Sequence, residues 1–135
     1  MSSRDRLPPQ LVADYLANLA VIADRLERQV ELLARNGAWT PTAAELHAAI
    51  AANRPLEAGA VMFTFDDGYL DVAETAWPIL REHGFTTQVL VVAGKVGGTA
   101  DWDAAAGEPA GLMDWATLRA LAAEGVEVGS HSLTH

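Results

Sequence analysis

Two short motifs hold the residues of this chain best suited to chemistry. Thr64-Phe65-Asp66-Asp67-Gly68 sets two carboxylates side by side, and Ser130-His131-Ser132-Leu133-Thr134-His135 sets two imidazoles four residues apart. One carboxylate and two neutral imidazoles make a three-ligand set that leaves a position open for water, the usual form of a catalytic zinc site. The second carboxylate is then left over as a base. Adjacent residues leaving a strand point in different directions, so one aspartate can bind metal while the other faces the water. Gly68 lets the backbone turn sharply or a substrate approach closely. Each motif alone has a plainer reading. Asp-Asp-Gly is common turn chemistry, and histidine pairs occur at surfaces by chance. His47, in a predicted helix, reads as exposed. His83, just before the helix-ending Gly84, reads as a partner of that helix end.

The strand-like run ahead of each motif strengthens both. Ala60–Phe65 is a short apolar run, as expected of a strand buried on both faces of a parallel sheet. A helix follows from Asp71 to His83, with Pro78 implying a kink or a restart. Thr86–Val92 is a β-branched second strand. Ala93–Leu112 carries five glycines and reads as a long loop, of the length that is usually functional or disordered. Asp114 caps a helix over Trp115–Glu124, Gly125 stops it, and Val126–Gly129 is a third strand. Strand–helix alternation predicts parallel pairing with right-handed crossovers. Both motifs then fall at the carboxyl ends of strands, where parallel α/β folds collect their chemistry.

Two helices precede the first strand. One runs from about Leu7 to Asn36, with an apolar stripe at Leu11, Tyr15, Leu19, Ile22, Leu26, Val30 and Leu33. That stripe needs a surface, and the body of the domain is the expected one. The second runs from Pro41 to about Ala52, with Thr40 or Thr42 as cap. Thr42 with Glu45 fits a capping box. Residues 1–56 therefore read as a helical amino-terminal segment and 57–135 as the portion that carries the motifs.

Composition narrows the partners. The chain has 135 residues, half of them hydrophobic, and a net charge of −9. A pI near 4.7 argues against nucleic acid, because phosphate binding needs Lys and Arg. A neutral or cationic glycan is compatible with it. With no cysteine there are no disulfides, thiolate zinc sites or cysteine nucleophiles. The start lacks the apolar core of a signal peptide, and no run approaches the ~18 apolar residues of a membrane span. As written, the chain reads as cytoplasmic by default, or as a cell-envelope protein if its start is incomplete.

The order of these features is more specific than any one of them. TFDDG after an apolar strand, a helix with Trp77-Pro78-Ile79-Leu80, a second strand, Met113-Asp114-Trp115 opening a helix, Gly125, then SHSLTH: this series resembles the polysaccharide deacetylase family, also called the NodB-homology or carbohydrate esterase 4 family. The resemblance runs from about Arg25 to His135. It implies the amino-terminal portion of a distorted (β/α) barrel. It implies removal of acetyl groups from N-acetylated or O-acetylated polysaccharide, with a divalent metal, zinc being the expected one. Carried over to this chain, Asp66 is the base, and Asp67, His131 and His135 are the metal ligands.

The resemblance also has limits. The family's general acid, an Arg beside the catalytic Asp, and aromatic groove residues come from motifs beyond the second histidine motif. Three strands do not close a barrel. The 135 residues thus read as an incomplete domain of weak or no activity, with His135 the ligand most prone to fray. The second strand reads Gln88-Val89-Leu90 where the family often has aromatics. A non-catalytic glycan-binding module is the alternative. A haloacid-dehalogenase phosphatase needs two aspartates separated by one residue and usually Gly-Thr after them; here they are adjacent and Tyr69 follows Gly68.

Overall fold

The computed structural model describes residues 23–102 and 110–135. Residues 23–35 are helical (α1); the expected helix upstream of residue 23 lies outside the described residues. Val30 is fully buried, and Leu26 and Leu33 pack beside it against the domain core. The described part of the apolar stripe, Leu26, Val30 and Leu33, therefore packs on the body of the domain. Asn36 Nδ2 donates to the Leu32 carbonyl at 2.7 Å, closing the helix end.

Helix α2 spans Ala43–Ala51 and starts on the expected capping box. Thr42 Oγ1 accepts from the Glu45 N–H at 3.1 Å, and Glu45 Oε2 accepts from the Thr42 N–H at 2.8 Å. A further amino-terminal N–H of α2, that of Ala43, donates to the Glu127 carboxylate at 2.9 Å. A carboxylate suits a helix start, where unpaired N–H groups and the dipole favour negative charge.

Strand β1 is Thr64–Asp67, β2 is Gln88–Val91 and β3 is Glu127–Ser130. They form one parallel sheet in the order β1-β2-β3. The first strand lies later than the apolar run suggested. The backbone of residues 59–61 is taken by Trp39 instead: Trp39 N–H donates to the Gly59 carbonyl at 3.0 Å, and Val61 N–H donates to the Trp39 carbonyl at 2.8 Å. The sheet ladder begins where Gln88 N–H reaches the Phe63 carbonyl at 3.0 Å, and Asp66 and Asp67 belong to the strand rather than breaking it.

Between β1 and β2 the helix restarts, as Pro78 required. Val72–Ala76 is a π turn, in which the Trp77 N–H bonds to the Val72 carbonyl, and α3 continues over Trp77–Glu82. The wider turn absorbs the N–H that proline lacks. Helix α4, Trp115–Ala123, opens with Asp114 accepting from the Thr117 N–H at 2.8 Å. The Glu124 carboxylate ties the helices together, accepting from Trp77 Nε1 and, at 2.9 Å, from Arg81.

The core lies between the helices and one face of the sheet. Val30, Val72, Trp77, Leu80, Leu118 and Leu121 close over Val89 and Val91. Fully burying an aliphatic side chain such as Leu80 contributes about 1.5–3 kcal/mol. Among the described residues the helices cover one face of the strands. By register and pleat, Asp66, Leu90 and Gly129 share the opposite face, and Asp66 is exposed there. Among the described residues no helix is long and apolar enough to cross a membrane.

Candidate metal centre

The in-register row Asp67, Val91, Ser130 ends the three strands at one level. Parallel strands lie about 4.8 Å apart, so groups leaving β1 and β3 must meet above the end of β2. Two backbone devices bring them there. At β1, Asp67 takes a left-handed φ of 75° and Gly68 one of 81°. A Cβ on Gly68 would sit 2.9 Å from Val91 Cγ1, so glycine is required for conformation and for space. The turn is pinned by Met113 N–H to the Gly68 carbonyl at 2.9 Å and Leu70 N–H to the Gly111 carbonyl at 3.0 Å.

At β3, the His131 N–H continues the ladder to the Val91 carbonyl at 2.7 Å. Ala93 and Gly94 then donate to the carbonyls of Ser132 (3.0 Å) and Leu133 (2.9 Å). Ser132 turns the chain with a φ of 64°, and its Oγ accepts from the His135 N–H at 3.0 Å. This one-turn clasp puts both imidazoles on the same side.

Asp67 Oδ1 lies 3.5 Å from His131 Nε2 and 3.4 Å from His135 Nε2. One ligand atom from each residue falls within 4.8 Å of the others. A tetrahedral ion held at ~2.1 Å needs its ligands about 3.4 Å apart. The separations to Asp67 fit that value and are long for N–H···O hydrogen bonds. Asp67 Oδ1 is also buried without a hydrogen-bond partner. Leaving such an oxygen unsatisfied costs about 1–3 kcal/mol, and more when it is charged. A divalent cation would answer that need, so the donor set fits a metal.

Asp66 stands apart from this cluster, exposed on the other register row. His47 is exposed, as expected, and His83 Nδ1 lies 2.9 Å from the Ile79 carbonyl at the end of α3. Trp102 is the residue that sequence reasoning missed. Its ring stacks on His135, with centroids 4.3 Å apart and planes 3° from parallel. The available signal was its place in the five-glycine loop. Where described, that loop is not free coil. Lys95 pairs with Asp101 at 2.8 Å, and residues 97–100 bond to residues 110–113.

Fold and site together define an α/β protein of the barrel type, with its polar cluster gathered at the carboxyl edge of a parallel sheet. The chain belongs to the polysaccharide deacetylase family: the family described as Polysaccharide deacetylase matches residues 53–135. It is 23% identical over 118 residues to YxkH of Bacillus subtilis (strain 168), provisionally named a polysaccharide deacetylase; the match covers 87% of this chain and 38% of that one. The structure of IcaB from Ammonifex degensii is similar at a TM-score of 0.71 and 27% identity, covering 82% of this chain and 45% of that one. The Streptococcus pyogenes deacetylase PplD, solved with acetate, shares the fold at a TM-score of 0.67 and 19% identity, covering 81% of this chain and 44% of that one. The chain thus spans less than half the length of each of these relatives and matches the amino-terminal portion of a deacetylase barrel.

Proposed function

We propose that this chain carries the metal-binding half of a deacetylase site for N-acetylated, or O-acetylated, polysaccharide. The division into a leading segment, residues 1–56, and a deacetylase portion, residues 57–135, is part of this proposal. The observation that carries the reading is the convergence of Asp67, His131 and His135 around a buried, unpartnered carboxylate oxygen. Those three residues would hold a divalent cation, zinc being the best match to one carboxylate and two imidazoles. When bound, such an ion would supply Lewis-acid chemistry, polarising an acetyl carbonyl and lowering the pKa of a water toward ~7. Asp67 would offset part of its charge, and His131 and His135 would complete the protein's donor set. Asp66 remains outside the cluster, exposed on the face that the helices leave uncovered, and is assigned as the base that takes the proton from the attacking water. By the resemblance, the acid that protonates the leaving amine comes from motifs beyond His135. The 135 residues alone should therefore turn over weakly or not at all.

The test is metal content and acetate release from N-acetylglucosamine oligomers, measured on the 135-residue chain and on one extended through a whole deacetylase barrel. Zinc should bind both, with Asp67→Asn weakening binding and Asp66→Asn sparing it. In the extended chain Asp66→Asn should lose activity about 10²–10⁴-fold. Full activity in that variant refutes the assigned base. Robust turnover by the short chain refutes the division of parts. Metal uptake by an extended chain without turnover favours a glycan-binding module.

A further inference from the structure

We infer that Trp102 is a positioning residue for His135, setting the plane of that imidazole for the metal; the inference rests on the metal reading above. A histidine that ligates a metal normally donates its other ring N–H to a carboxylate, carbonyl or water, which fixes the ring. Among the described residues the His135 ring has no such hydrogen bond. Among the described residues the ring meets Asp67 at one nitrogen, the edge of His131 with centroids 5.9 Å apart, and the face of Trp102 at 4.3 Å. The near-parallel stack, 3° from coplanar, resists rotation of the ring about its Cβ–Cγ bond. His135 needs that restraint, since its side chain is about a third exposed.

The loop is built to deliver the indole. Lys95, in the 3-10 turn Ala93–Lys95, pairs with Asp101 next to Trp102. The same turn bonds through Ala93 and Gly94 to the carbonyls of Ser132 and Leu133. This short segment thus holds the backbone of Ser132 and Leu133 and, through Lys95, the neighbour of the stacking Trp102. Trp102 does not belong to the hydrophobic core cluster, so its removal should affect the site and leave the fold in place.

The experiment compares Trp102→Leu and Trp102→Phe with the unaltered 135-residue chain. Cobalt(II) uptake is followed by visible absorption and zinc affinity by chelator competition. Urea midpoints are measured in parallel, and the His135 ring-proton shifts are read by NMR without metal. Trp102→Leu should weaken metal binding about 10–100-fold, the usual effect of removing a group that orients a ligand. Trp102→Phe, which keeps a stacking ring, should recover most of it. The urea midpoints should match, and the His135 ring protons should lose their ring-current shift only in the Leu variant. Unaltered affinity in Trp102→Leu overturns the inference, as does a Phe variant as weak as the Leu variant. A urea midpoint that falls in step with affinity also overturns it, because the role is then structural. If the unaltered chain takes up neither ion, the metal reading itself fails and the positioning role falls with it.

Discussion

Gly94→Ala puts a single methyl group where the histidine tail is fastened. A Cβ at this position would lie 2.5 Å from the Leu133 carbonyl oxygen and 3.2 Å from Leu133 Cδ1. Ordinary contact begins at 3.4 Å, so the carbonyl must retreat by about 0.9 Å. That oxygen accepts the Gly94 N–H at 2.9 Å, a bond worth about 0.5–1.5 kcal/mol net. Leu133 stands midway between His131 and His135, so the displacement falls on both imidazoles. Metal sites tolerate about 0.2 Å in ligand distance, and functional constellations about 0.5 Å in placement. Zinc affinity should fall at least tenfold, or about 1.4 kcal/mol, while global stability falls by no more than about 1.5 kcal/mol. Chelator competition gives the first number and urea unfolding the second. Gly111→Ala is the control, since a Cβ there meets nothing within 4 Å. Zinc binding by Gly94→Ala equal to that of the unaltered chain would refute the argument that this contact positions the histidines.

Leu80→Ala, at a fully buried site beneath the sheet, should cost about 2–5 kcal/mol in urea unfolding. Thr42→Ala removes the acceptor of the α2 capping box and should cost about 1 kcal/mol by the same measurement. The Asp114 carboxyl is held below its ordinary 3.8 by the hydrogen bonds from Thr117 at the start of α4. A depressed acid stabilises fully above its unfolded value and loses that contribution as pH falls through the folded one. The urea midpoint of Asp114→Ala should therefore lie below that of the unaltered chain at pH 7 and converge on it in the region below 3.8. The Thr117 amide shift should titrate with the same low midpoint.

Local chemistry was legible in the sequence wherever a single residue dictates a single geometry. Thr42 with Glu45, Asp114 before Trp115, and Pro78 inside an otherwise helical run each led to the observed cap or restart. The parallel sheet followed from alternation, and the meeting of the two motifs at one edge from their places at strand ends, whereas the choice of Asp67 over Asp66 came only from the family resemblance. Strand β1 was placed too early because Ala60–Phe63 is apolar enough for a strand. What decides otherwise is Trp39, twenty-odd residues upstream, which takes the backbone groups of residues 59–61. Burial on both faces was inferred from the same apolar run, and the register shows that Asp66 and its row face away from the helices. The Trp102 stack was invisible for a related reason. Ring-to-ring placement depends on how a glycine-rich loop folds back, and no local periodicity encodes that.

Under the proposed metal reading, the order of Asp67, His131 and His135 along the chain gives the site a part in assembly. Asp67 leaves the first strand of the sheet, and both histidines leave the third. The unfolded chain has no preformed pocket for an ion that needs all three. Any ion held there would bind the assembled sheet and ignore its disordered counterpart, adding about 2.7 kcal/mol at a hundredfold excess over its dissociation constant. It would act as a rivet across the width of the sheet, so that free zinc concentration sets how firmly β3 stays docked. Chelation would then register first as a slackening of that outer strand, seen as faster amide exchange at Glu127–Ser130 than at Gln88–Val91.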